Sequence, residues 1–354
     1  MYTGFVLVLF FSLTAEIFLQ GKWTDKMHRL KIEQVAKLYG PSWHEKTKTG
    51  TPTMGGIIFI PVFLAAVCAG YFLSPYSDLH KIGKIALYPV LDAAVGLLDD
   101  WLKYSKRSSD GLKSMEKLAL QIAVTVPWAL WTTPPALDLV FVSVPRYVGI
   151  VLLVFTGVGL QNAVNVTDGL DGLAAGSVLI SLLGALSFLG GEPSIIFPIA
   201  SGAGICLGFL WHNCHPANVF MGDVGAHFFA GLLLSLCVVS DAFIFVIPIS
   251  FIFGLEIMSV ALQIISIRGF NKKIFLMSPV HHHFEMLGWK ETQIVTRFWI
   301  IHAVGMQIGG QHAGLEPELS DGLGGDQRHD AVRPALQLHR GHHGVRNHAR
   351  DETL

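Results

Sequence analysis

Residues 147–189, YVGIVLLVFTGVGLQNAVNVTDGLDGLAAGSVLISLLGALSFL, hold two apolar runs on either side of a short polar segment. The runs at 147–163 and 173–189 each approach the roughly 20 apolar residues that a helix needs to cross the hydrocarbon core of a bilayer. Between them, Asn165, Asp168 and Asp171 follow one another in three-residue steps. That spacing puts all three on one helical face, or on a loop leading into a helix amino terminus. Two membrane spans meeting at an acidic turn predict a polytopic membrane protein with chemistry at its surface.

Similar runs recur outward from this stretch, at about 2–19, 56–73, 82–98, 118–131, 195–211, 226–240, 242–266 and 295–308. The whole chain is then an all-α polytopic membrane protein with about ten transmembrane helices. Its composition agrees: 51% of the 354 residues are hydrophobic and 14% charged, against about 25% charged in a soluble domain. The first run lacks a basic start and a clear small-residue cleavage site, so it reads as a retained helix, although Glu16 inside it is unusual. Pro89 and Asp92 interrupt the run at 82–98. The four cysteines, Cys68, Cys206, Cys214 and Cys237, form no CxxC pair and predict no disulfide.

The formal net charge of −1 reflects segregation of charge rather than its absence. Lys22, Lys26, Arg29, Lys31, Lys37, Lys46 and Lys48 crowd one connection. Lys103, Lys106, Arg107, Lys113 and Lys117 crowd a second; Arg268, Lys272, Lys273, Lys290 and Arg297 crowd a third. The intervening connections are short and nearly free of base. The positive-inside rule puts the basic loops in the cytoplasm and the amino terminus outside. Nothing in the pattern calls for a nucleic-acid partner. After Ile308 the apolar pattern stops, and the last 46 residues contain no lysine, five arginines and six histidines. The chain divides into a transmembrane domain at 1–308 and a tail at 309–354. The tail reads either as disordered or, the favoured reading, as the product of a reading-frame change in the gene.

Ionisable groups at a membrane boundary are costly and point to function. Asp99 and Asp100 close one span in GLLDDWLK. Adjacent like charges need a cation or a shared proton, and hard oxygen donors suit Mg²⁺ beside substrate phosphates; the plainer reading is a helix-ending acidic pair beside Lys103. Asn165, Asp168 and Asp171 form an array able to hold a metal and a diphosphate, where simple helix capping would need one of them. Asn213, Asn218, Phe220 and Asp223 lie in WHNCHPANVFMGDVGA. Asp223 is a metal ligand or a helix cap there, with Phe220 free to stack on a base. His281, His282 and His283 in SPVHHHFE cannot easily all reach one ion, so they read as donors to phosphate or sugar oxygens. GTPTMGG, residues 50–56, offers helix-terminus amides to an anion. Acids, histidines and lysines gathered at one cytoplasmic rim are what metal-assisted phosphoryl transfer needs.

The order GTPTMGG, LLDDWLK, NAVNVTDGLDGLAAG, NVFMGDVGA and SPVHHHFE resembles the phospho-N-acetylmuramoyl-pentapeptide transferases, over about residues 20–301. The resemblance implies a ten-helix fold with cytoplasmic active-site loops, Mg²⁺ dependence and location in the bacterial inner membrane. It also implies transfer of phospho-N-acetylmuramoyl-pentapeptide from uridine diphosphate to undecaprenyl phosphate, with release of uridine monophosphate. Carried over, Asp223 is the Mg²⁺ ligand, and Asp99, Asp100 and Asp168 are the catalytic and phosphate-site carboxylates. Asp171, Asn165 and Asn213 are nucleotide-side groups, with Phe220 on uracil. Lys48, Thr53, Lys103 and Lys117 match the family's polar positions in the first two cytoplasmic loops, and His281, His282 and His283 line the sugar-phosphate side. Related enzymes are often homodimers. The chain departs from the family after RFWII, where the last helix degenerates from His302, and in LYPVLDAAVG, which carries Asp92 into the membrane. Rival readings are a sister enzyme that transfers an N-acetylhexosamine-1-phosphate, a transporter, and a catalytically impaired relative.

Overall fold

The computed structural model describes residues 2–30, 50–106, 110–139 and 142–314. The described part is nearly all helix: α1 (Tyr2–Leu30), α2 (Phe59–Leu73), α3 (Leu79–Lys106), α4 (Ser114–Thr132), α5 (Arg146–Thr167) and α6 (Leu173–Leu189) come first. Then follow α7 (Pro193–Asn213), α8 (Gly222–Val239), the single turn α9 (Val246–Ile249), α10 (Phe251–Phe270), α11 (Val280–Met286) and α12 (Glu291–Gly314). Every apolar run picked out in the sequence falls on helix. Among the described residues, six stretches are long and apolar enough to cross a membrane: Thr3–Leu30, Gly55–Leu73, Arg146–Thr167, Pro193–Asn213, Gly222–Val239 and Phe251–Phe270. The protein is thus an all-α polytopic membrane protein, with one small addition. A two-stranded antiparallel ladder, β1 (Ala136–Asp138) and β2 (Ser143–Pro145), pairs Leu137 with Val144 between α4 and α5. Strands of three residues are too short to show a period of two in sequence.

The run expected at 242–266 is broken. A 3-10 turn at Phe243–Phe245 leads into α9, and Ser250 (φ −103°, ψ 20°) separates that turn from α10. Pro248 has no N–H to offer the carbonyl of Ile244, so a single straight helix cannot form there.

α7 and α8 form the centre, buried along almost their whole length. Lipid tails are as apolar as leucine, so contact between spanning helices comes from close backbone approach at small residues. Gly96 of α3 lies directly against the backbone of Asp223 and Val224. Gly204 and Gly208 of α7 meet α1 at Leu9, Leu13 and Glu16. Beneath the α3–α8 contact, Phe59 packs against Phe209, Phe228 and Phe229 at ring-centroid separations of 5.0, 6.0 and 4.9 Å.

The two departures noted in the sequence are accommodated inside this bundle. Asp92 is fully buried and accepts a 2.7 Å hydrogen bond from Gln161 of α5. Gln161 also reaches the hydroxyl of Tyr88 (3.0 Å), which bonds Thr125 of α4 (3.0 Å). The acid therefore faces polar groups on neighbouring helices rather than lipid. His302 is likewise buried, with Nε2 2.9 Å from Ser181 Oγ, and α12 remains helical to Gly314. The tail beyond that residue lies outside the described residues.

Candidate active site

The site forms where five elements end on one rim: the close of α3, the start of α4, the close of α5, the start of α8 and the segment leading into α2. That segment, GTPTMGG, is strapped to the NVFMGD segment by its backbone. Phe220 N–H donates to Pro52 (2.8 Å), Gly55 N–H to Phe220 (2.9 Å) and Gly56 N–H to Met221 (3.0 Å). Glycine is required at two of these positions. A Cβ on Gly56 would overlap Gly225, and Gly222 has φ +71° and sits against Thr53, Met54 and Asp100. Trp23 of α1 anchors the strap through a 3.1 Å bond to the Met54 carbonyl.

Three carboxylates meet beneath the strap. One oxygen from each of Asp99, Asp100 and Asp223 lies within 4.8 Å of the others, and all three residues are buried. Their other partners hold them in place. Asp99 accepts from Leu112 N–H (2.8 Å), and Asp100 from Val224 N–H (3.2 Å) in the first turn of α8. Asn165 of α5 donates to Asp223 (2.7 Å). Lys103, one turn beyond the acids on α3, is 2.6 Å from Asp99, 3.6 Å from Asp100 and 3.1 Å from Asp223. Lys117, in the first turn of α4, pairs closely with Asp223 and lies 3.9 Å from Asp99. Three buried carboxylates crowd together against two ammonium groups, and a divalent cation among them would offset the mutual repulsion of the acids. Oxygen donors alone, from neighbouring carboxylates, are the set that Mg²⁺ takes together with phosphate oxygens.

Asp171 and Asn213, which the resemblance implies as nucleotide-side groups, are tied to the chain itself. Asn213 accepts from Gly172 N–H (3.1 Å) and donates to the Val219 carbonyl (2.8 Å). Asp171 accepts from Ala217 N–H (3.1 Å) and pairs with His215 (3.0 Å), while its own N–H donates to Glu291 (2.7 Å). The two residues clamp the 214–219 loop, which delivers Phe220 and Asp223 to the rim. Asn213→Leu is expected to lower the melting temperature in detergent, because the Gly172 N–H and Val219 C=O lose their side-chain partner at about 1–3 kcal/mol each. Exposed Asn218→Ala should leave it within error.

Asp168 is half-buried at the end of α5, three residues beyond Asn165. Phe220 is also half-buried, and Thr53 touches Gly222. Lys48 lies outside the described residues. The rings of His281 and His282 pack edge to face at 4.2 Å, and no two of the three histidines share a polar partner among the contacts described. His281 lies 3.1 Å from Glu256, His282 2.6 Å from Glu285, and His283 Nδ1 accepts from Leu276 N–H (3.1 Å). Of the three, His281 borders the 168–172 loop, at Gly169.

Sequence reasoning missed His215, Glu256 and Glu291. Glu291 opens α12, where an acid reads as an ordinary helix start. Glu256 had a usable signal, an acid inside an apolar run.

The family model for glycosyl transferase family 4 matches residues 84–241, which contain all three carboxylates of the cluster. A phospho-N-acetylmuramoyl-pentapeptide-transferase of Shouchella clausii is 32% identical over 320 residues, 86% of this chain and 97% of the relative. Proteins of the same name from a Picosynechococcus species and from Kosmotoga olearia are 37% and 36% identical. They cover 83% of this chain, and 83% and 93% of their own lengths. The chain belongs to the phospho-N-acetylmuramoyl-pentapeptide-transferase family.

Proposed function

We propose that this chain transfers phospho-N-acetylmuramoyl-pentapeptide from its uridine diphosphate carrier to undecaprenyl phosphate, releasing uridine monophosphate. The product is the first lipid-linked intermediate of peptidoglycan synthesis, on which cell shape and division depend. The observation that carries this reading is the buried Asp99–Asp100–Asp223 cluster with Lys103, Lys117 and Asn165 around it. Mg²⁺ held by those carboxylates would neutralise the diphosphate charge. Lys103 and Lys117 then hold phosphate oxygens, and Asn165 keeps Asp223 in position. Asp168 and the 168–172 loop border the donor's diphosphate, and Phe220 at the strap offers a ring to uracil. A lipid-phosphate oxygen attacks the phosphorus next to the muramoyl sugar, forming a new P–O–P bond. The bond to the other phosphate breaks, and uridine monophosphate leaves with that bond's electron pair.

Ten spanning helices and a cytoplasmic rim fit the same reading. The site groups lie at the ends of α3 and α5 and at the starts of α4 and α8. The basic loop at 99–117 joins two of those ends, and the positive-inside rule sends such loops to the cytoplasm. The location is then the bacterial inner membrane, where a lipid acceptor and a water-soluble nucleotide donor can meet.

Purified protein should release uridine monophosphate from the muramoyl-pentapeptide donor in the presence of undecaprenyl phosphate and Mg²⁺. It should prefer that donor to uridine diphosphate N-acetylglucosamine. Chelation with EDTA should stop turnover, and added Mg²⁺ should restore it. Preference for the acetylhexosamine donor would overturn the substrate assignment, and turnover in EDTA would overturn the metal.

A further inference from the structure

Glu256 is a carboxylic acid in the second turn of a candidate spanning helix, α10, with its side chain fully buried. It faces His281, in the first turn of α11, which is also fully buried. Glu256 Oε2 lies 3.1 Å from His281 Nδ1. The two groups face each other at that distance without hydrogen-bond alignment, and neither carboxylate oxygen and neither ring nitrogen has a hydrogen-bond partner among the described residues. The far edge of the ring lies against Gly169, so closely that a Cβ there would collide with Nε2. One residue from that contact is Asp168, and three residues before Asp168 is Asn165, bonded to Asp223.

A buried acid inside a membrane persists where it has a partner and a task. An ionised carboxylate only accepts hydrogen bonds, so beside ionised Glu256 the ring nitrogen facing it would carry the proton. With Nδ1 protonated, the neutral ring presents Nε2 as an acceptor toward the 168–172 loop. A carboxylate behind a histidine commonly fixes both its tautomer and its orientation.

We propose that Glu256 is a positioning residue, which holds His281 with Nδ1–H toward the membrane interior and Nε2 toward the 168–172 loop. There Nε2 accepts a hydrogen bond from an O–H or N–H group on the sugar of the nucleotide donor. The identity of that ligand rests on the function proposed above; the pairing itself does not.

Nuclear magnetic resonance of ¹⁵N-histidine-labelled protein in lipid nanodiscs tests the pairing without turnover, with the His281 signal identified by its loss in His281→Asn. The expected pattern is a protonated Nδ1 and a bare Nε2 in the wild type and in Glu256→Gln, whose amide oxygen accepts the same bond. Glu256→Leu should change it. In turnover, Glu256→Leu should lower kcat/KM for the nucleotide donor about 10–100-fold, the usual effect of removing a group that orients a functional histidine. Glu256→Gln should restore most of it, and KM for undecaprenyl phosphate should not move. Glu256→Leu should add nothing in a His281→Ala background. A bare Nδ1 in the wild type, a Gln variant as impaired as Leu, or losses that multiply in the double variant would each overturn the proposal. A wild-type protein that turns over neither nucleotide sugar would instead sink the proposed function, and the labelled spectrum would still decide the role of Glu256.

Discussion

Asp223→Ala should abolish release of uridine monophosphate while leaving the protein inserted in the membrane and monodisperse in detergent. The loss expected is on the order of 10²–10³-fold or greater, the scale seen when one preorganised electrostatic contact to a reacting centre is removed. Asp223 is the carboxylate that α8 brings to the cluster. It is also the group on which Lys103, Lys117 and Asn165 converge. Without it, two ammonium groups and an amide face one another across the position that a cation would take. Asp99 and Asp100, adjacent on α3, are then left to hold that cation alone. Assay of product release across a range of Mg²⁺ concentrations checks the outcome. Turnover equal to wild type at low Mg²⁺ would refute the role given to Asp223.

Gly96→Val should be nearly as damaging, by a purely steric route. The position carries no chemistry, yet a Cβ there would press into the backbone of Asp223 and Val224. Backbone on both sides cannot give way as a flexible side chain would, so α3 and α8 must part. Overpacking of this kind costs about 1–3 kcal/mol and occasionally more. Activity should fall further than stability does, because Asp99 and Asp100 lie one turn along the displaced helix. The melting temperature in detergent and the release of uridine monophosphate are the two readouts. Gly83→Ala provides the comparison, since the nearest atom to a Cβ there, on Trp131, is 4.0 Å away. That change should leave turnover intact and hold or raise the melting temperature, since alanine favours helix over glycine by about 1 kcal/mol. Equal melting of Gly96→Val and wild type would mean that the helices do not approach so closely.

Much of this was legible in the residues. Apolar runs near bilayer length announce helices whatever surrounds them, so every one of the expected runs is helical. The break in the 242–266 run was less visible, because Pro248 can kink, end or merely bend a helix. That Asp99 and Asp100 could share a cation was readable from adjacency alone. That Asp223 would join them at one rim was expected as well; the close approach of two helices through Gly96 that brings it within reach was not. The part assigned to Asp171 and Asn213 shows the limit more clearly. Polar residues in a loop read as ligand-binding groups, and here Asp171 and Asn213 also bond the loop to itself. The same atoms serve either end, and only the fold shows which donors they have found. His215 and Glu291 escaped notice for the converse reason: each looks ordinary until Asp171 is placed beside it.

The split origin of the acid cluster has a consequence for how the protein is made. Translation delivers Asp99 and Asp100 early, and Asp223 emerges only after four further helices have been threaded into the bilayer. Until then α3 presents an acidic pair, and Gly96 faces a gap where α8 will sit. A nascent chain stalled after Asn213 therefore holds two of the three carboxylates and the lysines that answer them, but no complete metal cradle. The half-built molecule should then be catalytically silent and consume neither nucleotide nor lipid before its insertion is finished.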